Sequence, residues 1–241
     1  MEQEQWKEYV KKVANCQWPV PVSMISDMED WRCRSIVGRM LLVLDDIEGA
    51  MQVLSTVIKV KPDENNVPDN GLSDVEHKVL CLRDVAEIIW KLTGTDHAPL
   101  IYLGSAYKYC RSFKHPFRSA SRGDIWVRRL EIMRDSGKNE QALQEAEEML
   151  EAEKNNDGIN PYRYAAYKFL AEDAAGREDY EKAAQLLAEG LKYYPLNEQG
   201  EKDVAEAAAA GDAQERYKKY HRCTTIKYKP WEELPPVVLK R

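Results

Sequence analysis

Apolar residues recur along most of this chain at the three- and four-residue intervals of an amphipathic helix. Residues 47–60 show the pattern clearly. The apolar residues that keep the helical spacing in this segment are Ile47, Ala50, Met51, Leu54, Val57 and Ile58. No stretch of the sequence reads as the alternating strands of a sheet. The pattern therefore predicts an all-α fold.

Capping residues and helix breakers set the helix boundaries. Ser73 and Glu76 have the spacing of a capping box, and Gly94 ends the helix that follows them. Asn160 followed by Pro161 predicts another helix start. The predicted helices span residues 27–44, 47–60, 74–93, 97–112, 124–136, 139–154, 161–176, 179–194, 198–210 and 212–222.

Two further local signals complete this prediction. Ser26 and Glu29 form a second capping box, which starts the first of these helices. The loop over residues 62–72 is polar and rich in turn-forming residues. We expect this loop to be a linker or a mobile insertion.

Small and apolar residues recur at matching intervals in three segments, 31–64, 123–156 and 164–197. The recurring residues are Gly38, Ala50, Pro62, Trp126, Ala142, Tyr167, Ala171, Ala183 and Pro195. Their spacing resembles that of the tetratricopeptide repeat, a helix–turn–helix unit with small residues where its two helices cross. The second segment departs from the family pattern, because Lys154 stands at the usual proline position.

The resemblance implies a right-handed superhelix of stacked antiparallel helix pairs, since one pair cannot bury its apolar face alone. We expect a helical-repeat domain over residues 1–222 and an extended, proline-containing tail over 223–241. The segment 73–112 is predicted to be a degenerate helix pair, although residues 100–110 also resemble the first helix of a repeat. A break in register there would split the solenoid into two halves.

The family's partners bind on a concave face lined by the first helix of each repeat. The resemblance places ten residues on that face: Arg32, Ser35, Arg39, Asp124, Val127, Arg128, Glu131, Ala165, Lys168 and Glu172. The Lys/Asn set with which some members clamp a C-terminal carboxylate is not reproduced, because no Asn occupies these positions. The mixed charges indicate a polar peptide partner or a hydrated groove.

A basic cluster lies between residues 108 and 129, where seven Lys or Arg residues accompany one acidic residue. Aromatic residues are interleaved with it, as in surfaces that bind single-stranded nucleic acid or acidic peptides. The alternative is that it packs against the protein's own Glu-rich helices. The net charge of −6 argues against a nucleic-acid footprint over the whole protein. The basic residues are Lys108, Arg111, Lys114, Arg118, Arg122, Arg128 and Arg129.

Catalytic and metal-binding motifs are missing from the sequence. It contains no nucleophile elbow, no phosphate-binding loop and no paired-histidine zinc motif. Its five cysteines are scattered without a Cys-x-x-Cys pair, which favours reduced, buried thiols. We therefore predict no catalytic, cofactor or metal site. An enzyme whose site is assembled from distant residues remains an alternative.

These observations converge on a binding protein. The sequence has no apolar run of membrane-spanning length and no apolar core of a signal peptide near residue 1, so we expect a cytoplasmic protein. The favoured function is a non-catalytic adaptor or scaffold that binds a protein or peptide. A nucleic-acid-associated protein that uses residues 108–129 is the second hypothesis. The sequence does not indicate an oligomeric state.

Overall fold

All regular structure in the described part of the chain is α-helical, which confirms the predicted all-α class. The right-handed superhelix of stacked pairs stays a prediction. The computed structural model describes residues 29–225 except 70, 116, 118–121 and 157. Ser26 and most of the predicted tail lie outside these residues. The helices are α1 (Trp31–Val43), α2 (Ile47–Val57), α3 (Asp74–Thr93), α4 (His97–Ser112), α5 (Arg122–Asp135), α6 (Asn139–Ala152), α7 (Pro161–Gly176), α8 (Tyr180–Leu191), α9 (Glu198–Ala208) and α10 (Ala213–Thr225).

The helices belong to two compact units that divide between residues 115 and 116. Helices α1–α4 lie in the first unit and helices α5–α10 in the second. Helix α10 continues to Thr225, so residues 223–225 of the predicted tail are helical. A single repeat domain over residues 1–222 stays a prediction.

In the first unit, α1 packs on α2, α3 packs on α4, and α3 also lies against both α1 and α2. The apolar core between them includes Leu41, Leu54 and Val85, which are almost completely buried. Helices α1 and α2 cross closely at Gly38, where an added Cβ would lie 2.5 Å from Cδ2 of Leu54. A small residue is therefore needed at this crossing, as the sequence spacing predicts.

Local capping explains the boundaries of α1 and α3. The predicted capping box of α3 is present, because the Ser73 hydroxyl accepts a hydrogen bond from the Glu76 amide and the Glu76 carboxylate accepts one from the Ser73 amide. Gly94 ends α3 with a φ of 64°. Helix α1 begins at Trp31, later than predicted, since the Asp30 carboxylate accepts from the Arg32 amide at 2.9 Å.

The end of α2 is held by a buried lysine of α3. The ammonium group of Lys78 donates hydrogen bonds to the carbonyls of Val57, Ile58 and Val60, the last at 2.7 Å. These carbonyls lie at the negative end of the α2 dipole, where a cation is stabilising. Burial lowers the pKa of Lys78. One side chain thus joins the two helix pairs of the first unit.

The loop after α2 is fastened to the first turn of α3 by Asp74. This carboxylate accepts hydrogen bonds from the Asn66 side chain at 2.8 Å and from the Asp63 amide at 3.2 Å. It also accepts one from Nε of Arg32 at 2.8 Å, so it holds α1 as well. Positions 63 and 66 are therefore anchored to a carboxylate that lies outside the loop. That the loop is a linker or a mobile insertion stays a prediction.

In the second unit, α7 lies against both α5 and α6 and also packs on α8. Helix α10 packs on α8 and α9. Small residues mark the close approaches: an added Cβ at Gly190 would lie 2.8 Å from Cβ of Tyr167, and one at Gly123 would collide with the carbonyl of Pro161. The predicted start of α7 is confirmed, because the Asn160 side chain accepts from two backbone amides of its first turn.

Candidate functional site

The predicted binding residues of α1 line a seam between α1 and α3. Nε of Arg32 lies 2.8 Å from a carboxylate oxygen of Asp74, and Nε of Arg39 lies 3.3 Å from one of Asp84. Both carboxylates are buried, whereas the two arginines are 42% and 33% exposed. Their charges are therefore engaged inside the first unit.

Ser35 lies on the same face of α1 and is completely buried. Its hydroxyl donates to the carbonyl of His77 at 3.4 Å, so it is not accessible to a partner. Burial lowers the pKa of Arg39, and the neighbouring Asp84 opposes that shift. A second arginine, Arg83, lies 2.7 Å from Asp84. This seam is a structural ion cluster more than an open binding groove.

The predicted binding residues of α5 are more accessible. Arg128 and Glu131 form an ion pair at 2.8 Å on the surface of the helix, and each side chain is 28% exposed. Asp124 is exposed and Val127 is half-buried. Burial raises the pKa of the Tyr194 hydroxyl, and the negative charge of Asp124 raises it further.

The predicted residues of α7 form a second charged pair. Lys168 lies 3.9 Å from Glu172, whose carboxylate is also 3.6 Å from Nε2 of His221 on α10. Burial, together with the charge of Glu172, raises the pKa of Tyr217. Helix α10 therefore lies beside the end of this face. Ala165, in contrast, is only 3% exposed and does not reach the surface.

Helices α5 and α7 pack against each other, so the two charged pairs lie on neighbouring helices of one unit. The four side chains are each about one-third exposed, and their charges balance. We call these four the charged face: Arg128, Glu131, Lys168 and Glu172. It offers both hydrogen-bond donors and acceptors to a polar partner. None of its four side chains is a nucleophile activated by a neighbouring general base.

The basic cluster of the sequence is divided between the two units. Lys108, Arg111 and Lys114 are exposed at or just beyond the end of α4 in the first unit. In the second unit, Arg122 lies over the Phe117 ring at 4.9 Å, Arg128 pairs with Glu131, and Arg129 pairs with Glu145. Arg118 lies outside the described residues.

A cavity of about 550 Å³ in the first unit was not foreseen from the sequence. It lies between the end of α2 and the helices α3 and α4, and Lys78 and Leu82 are among its lining residues. One sequence signal points to it: Lys78 occupies the apolar stripe of α3 formed with Val75, Val79 and Leu82. A lysine in such a stripe needs buried acceptors or a nearby cavity.

The described residues form neither a metal site nor a membrane-spanning helix. Among the residues that the structure describes, no group of three or more His, Cys, Asp or Glu side chains is arranged to hold a metal ion. The same part of the chain has no helix that is both long and apolar enough to cross a membrane. Comparisons with protein-family models, with curated proteins and with solved structures each gave no match.

Proposed function

We propose that this protein is a non-catalytic adaptor or scaffold of the tetratricopeptide-repeat type, and that it binds a polar peptide segment of another protein. The supporting feature is the packing order of the helices. In each unit, the first helix of the second pair lies against both helices of the pair before it. Stacking of this kind places the first helices side by side, which creates an extended surface for a partner.

The observation that carries the proposal is the charged face of the second unit. Its residues lie on α5 and α7, which are the first helices of the pairs α5–α6 and α7–α8. Each of these side chains keeps about a third of its surface exposed. The ion pairs within this face join residues three or four positions apart on one helix. Such pairs contribute only about 0.3–0.5 kcal/mol each. A partner's charged groups can therefore replace them at little cost.

The first unit is less suited to this role. Arg32 and Arg39 are paired with buried carboxylates of α3, and a partner would have to break those contacts. Breaking a pair with a buried carboxylate costs more than breaking an exposed pair, because the remaining charge has less access to water. We therefore assign partner binding to the charged face.

Charge reversal at Lys168 tests the assignment. The matched control is Lys154→Glu, because Lys154 also pairs with a glutamate of its own helical region and is 56% exposed. Proteins captured from lysate are quantified for the wild type, Lys168→Glu and Lys154→Glu, and binding of the leading candidate is then measured with purified components. We expect Lys168→Glu alone to weaken binding, by about tenfold, with an unchanged helical circular dichroism spectrum.

Equal binding by the two variants would remove the charged face from the proposal. Arg128→Glu with an Arg134→Glu control repeats the test on α5.

The nucleic-acid alternative is tested by a gel shift at two salt concentrations, since phosphate contacts weaken steeply with salt. No observation in the described part of the chain favours that alternative or an enzyme over the adaptor.

A further inference from the structure

The cavity between α2, α3 and α4 has the dimensions of a small-molecule site. Its volume of about 550 Å³ falls within the range of about 300–1,000 Å³ that is typical of ligand pockets. It lies wholly in the first unit, whereas the charged face lies in the second. A function of this cavity would therefore be separate from the proposed adaptor role.

The walls of the cavity suit an apolar molecular body. Ile58, Leu82 and Ile101 supply aliphatic surface, and Tyr102 and Tyr109 supply aromatic rings. Ile101 is 55% exposed although it belongs to this lining. Covering such a side chain with an apolar ligand removes it from water, which stabilises the complex.

The charged groups of the cavity are both cations. Lys78 and Lys108 belong to its lining, and the described lining residues include no Asp or Glu. Lys78 is buried and Lys108 is exposed, so Lys78 lies at the inner wall and Lys108 at the mouth. The local field therefore favours an anion.

The two lysines differ in what they can offer a ligand. An ammonium group has three donors, and those of Lys78 have the carbonyls of Val57, Ile58 and Val60 as acceptors. Lys108 forms no ion pair within the described part of the chain. Lys78 can therefore contribute positive potential, and Lys108 can contribute both charge and hydrogen bonds.

We propose that this cavity binds a small amphipathic carboxylate, with its apolar chain against Ile58, Leu82 and Ile101 and its carboxylate at Lys108. The carboxylate remains at the wet mouth, where desolvation costs least. The chain extends inward along the aliphatic stem of Lys78, which is itself an apolar surface.

Three probes with the same chain separate the contributions of shape and charge. Decanoate, decanol and decylamine are titrated into the full chain by calorimetry, below their micelle concentrations. We expect decanoate to bind about fivefold more tightly than decanol, as one solvent-accessible ion pair allows. Decylamine should bind most weakly, because both lysines repel it.

Two variants and a matched control locate the site. Lys108→Gln should weaken decanoate binding about fivefold, to the level of decanol, while leaving decanol binding unchanged. Lys114→Gln is the matched control, since Lys114 is an exposed lysine outside the cavity lining, and it should change neither affinity. Ile101→Glu places a carboxylate at the mouth and should reduce decanoate binding further. These substitutions are at exposed positions, so the fold is expected to persist.

Several results would overturn the proposal: no decanoate binding, equal binding of all three probes, or the same effect from Lys108→Gln and Lys114→Gln. Lys168→Glu should leave decanoate binding unchanged, because it lies in the other unit. Failure of the adaptor function and failure of the carboxylate site are therefore distinguishable.

Discussion

The guanidinium of Arg39 lies 3.3 Å from the carboxylate of Asp84, and that carboxylate also accepts two hydrogen bonds from Arg83. Asp84 is only 8% exposed, whereas each arginine is about one-third exposed. The carboxylate is the shared and less hydrated partner. The loss of Asp84 therefore affects two cations, while the loss of Arg39 leaves one pair intact.

We predict that Asp84→Asn lowers the free energy of unfolding by about 1–3 kcal/mol and that Arg39→Gln lowers it by about 0.5–1 kcal/mol. The values lie below those for fully buried pairs, because water reaches the arginines. Urea denaturation of both variants measures the difference. A cost for Arg39→Gln as large as that for Asp84→Asn would show that Arg83 does not hold the carboxylate.

Two glycines of the first unit are predicted to respond to alanine in opposite ways. A Cβ at Gly38 would lie 2.5 Å from a side-chain carbon of Leu54, which is completely buried in the core. We expect Gly38→Ala to destabilise the protein by about 1–3 kcal/mol. A Cβ at Gly104 meets nothing within 4 Å, so Gly104→Ala should stabilise α4 by about 0.5–1 kcal/mol.

Thermal and urea unfolding compare these two variants directly. Both glycines lie inside helices, so the loss of helix-destabilising glycine is common to the two variants. The difference between their free energies of unfolding therefore reports the close crossing of α1 and α2. A stabilising Gly38→Ala substitution would mean that α1 and α2 are less closely packed than the structure indicates.

His77 is predicted to make stability dependent on pH. It is buried, its ring lies edge-on to Trp31 with centroids 6.1 Å apart, and Nδ1 has no hydrogen-bond partner in the described structure. Burial lowers the pKa of His77, and the positive charges of Arg39 and Arg32 lower it further, against the opposing effect of Asp74 and Glu76. The neutral ring is therefore the form that the fold favours.

Below its ordinary pKa of about 6.5, His77 binds a proton in the unfolded chain before it does so in the folded one. The free energy of unfolding should consequently fall as the pH drops below about 6.5, by at most about 1.4 kcal/mol per pH unit. Urea denaturation on both sides of this pH measures the slope. His77→Phe should reduce the slope, and His97→Gln, at an exposed position, serves as the control. An unchanged slope in His77→Phe would assign the effect to other groups.

The cysteines are predicted to differ in reactivity. Burial raises the pKa of Cys81 to about 12, and its thiol lies 3.6 Å from the carbonyl of Leu54. Cys33 is half-buried and therefore more accessible. Alkylation of the native protein near neutral pH should modify Cys33 at least about tenfold faster than Cys81, because the thiolate is the reactive form. Peptide mapping by mass spectrometry measures both rates, and equal rates in the native protein would contradict the burial of Cys81.

Local signals allowed several helix boundaries to be predicted. Helix α3 begins and ends as expected, since Ser73, Glu76 and Gly94 act within a few residues of the boundary. Helix α7 likewise follows from Asn160 and Pro161. Helix α2 ends at Val57 although the apolar pattern continues, because the backbone tightens into a turn that Lys78 holds.

Long-range contacts explain what could not be predicted. The resemblance placed Arg32 and Arg39 on a binding face, yet their partners, Asp74 and Asp84, lie in the helix pair that matches the repeat least well. The sequence alone gives no distance between these groups. The cavity is equally non-local, because its lining comes from three elements that meet only in the folded chain.

Lys78 also affects how the first unit opens. The end of a helix is normally its first part to fray, but here the last carbonyls of α2 are bound to a side chain of α3. Fraying of α2 thus removes the hydrogen-bond acceptors of the buried Lys78 ammonium group as well as exposing backbone. Because Lys78 belongs to α3, the pairs α1–α2 and α3–α4 are disturbed together. The first unit should exchange its core amide hydrogens in one cooperative event, in contrast to the pair-by-pair unfolding of a simple linear array.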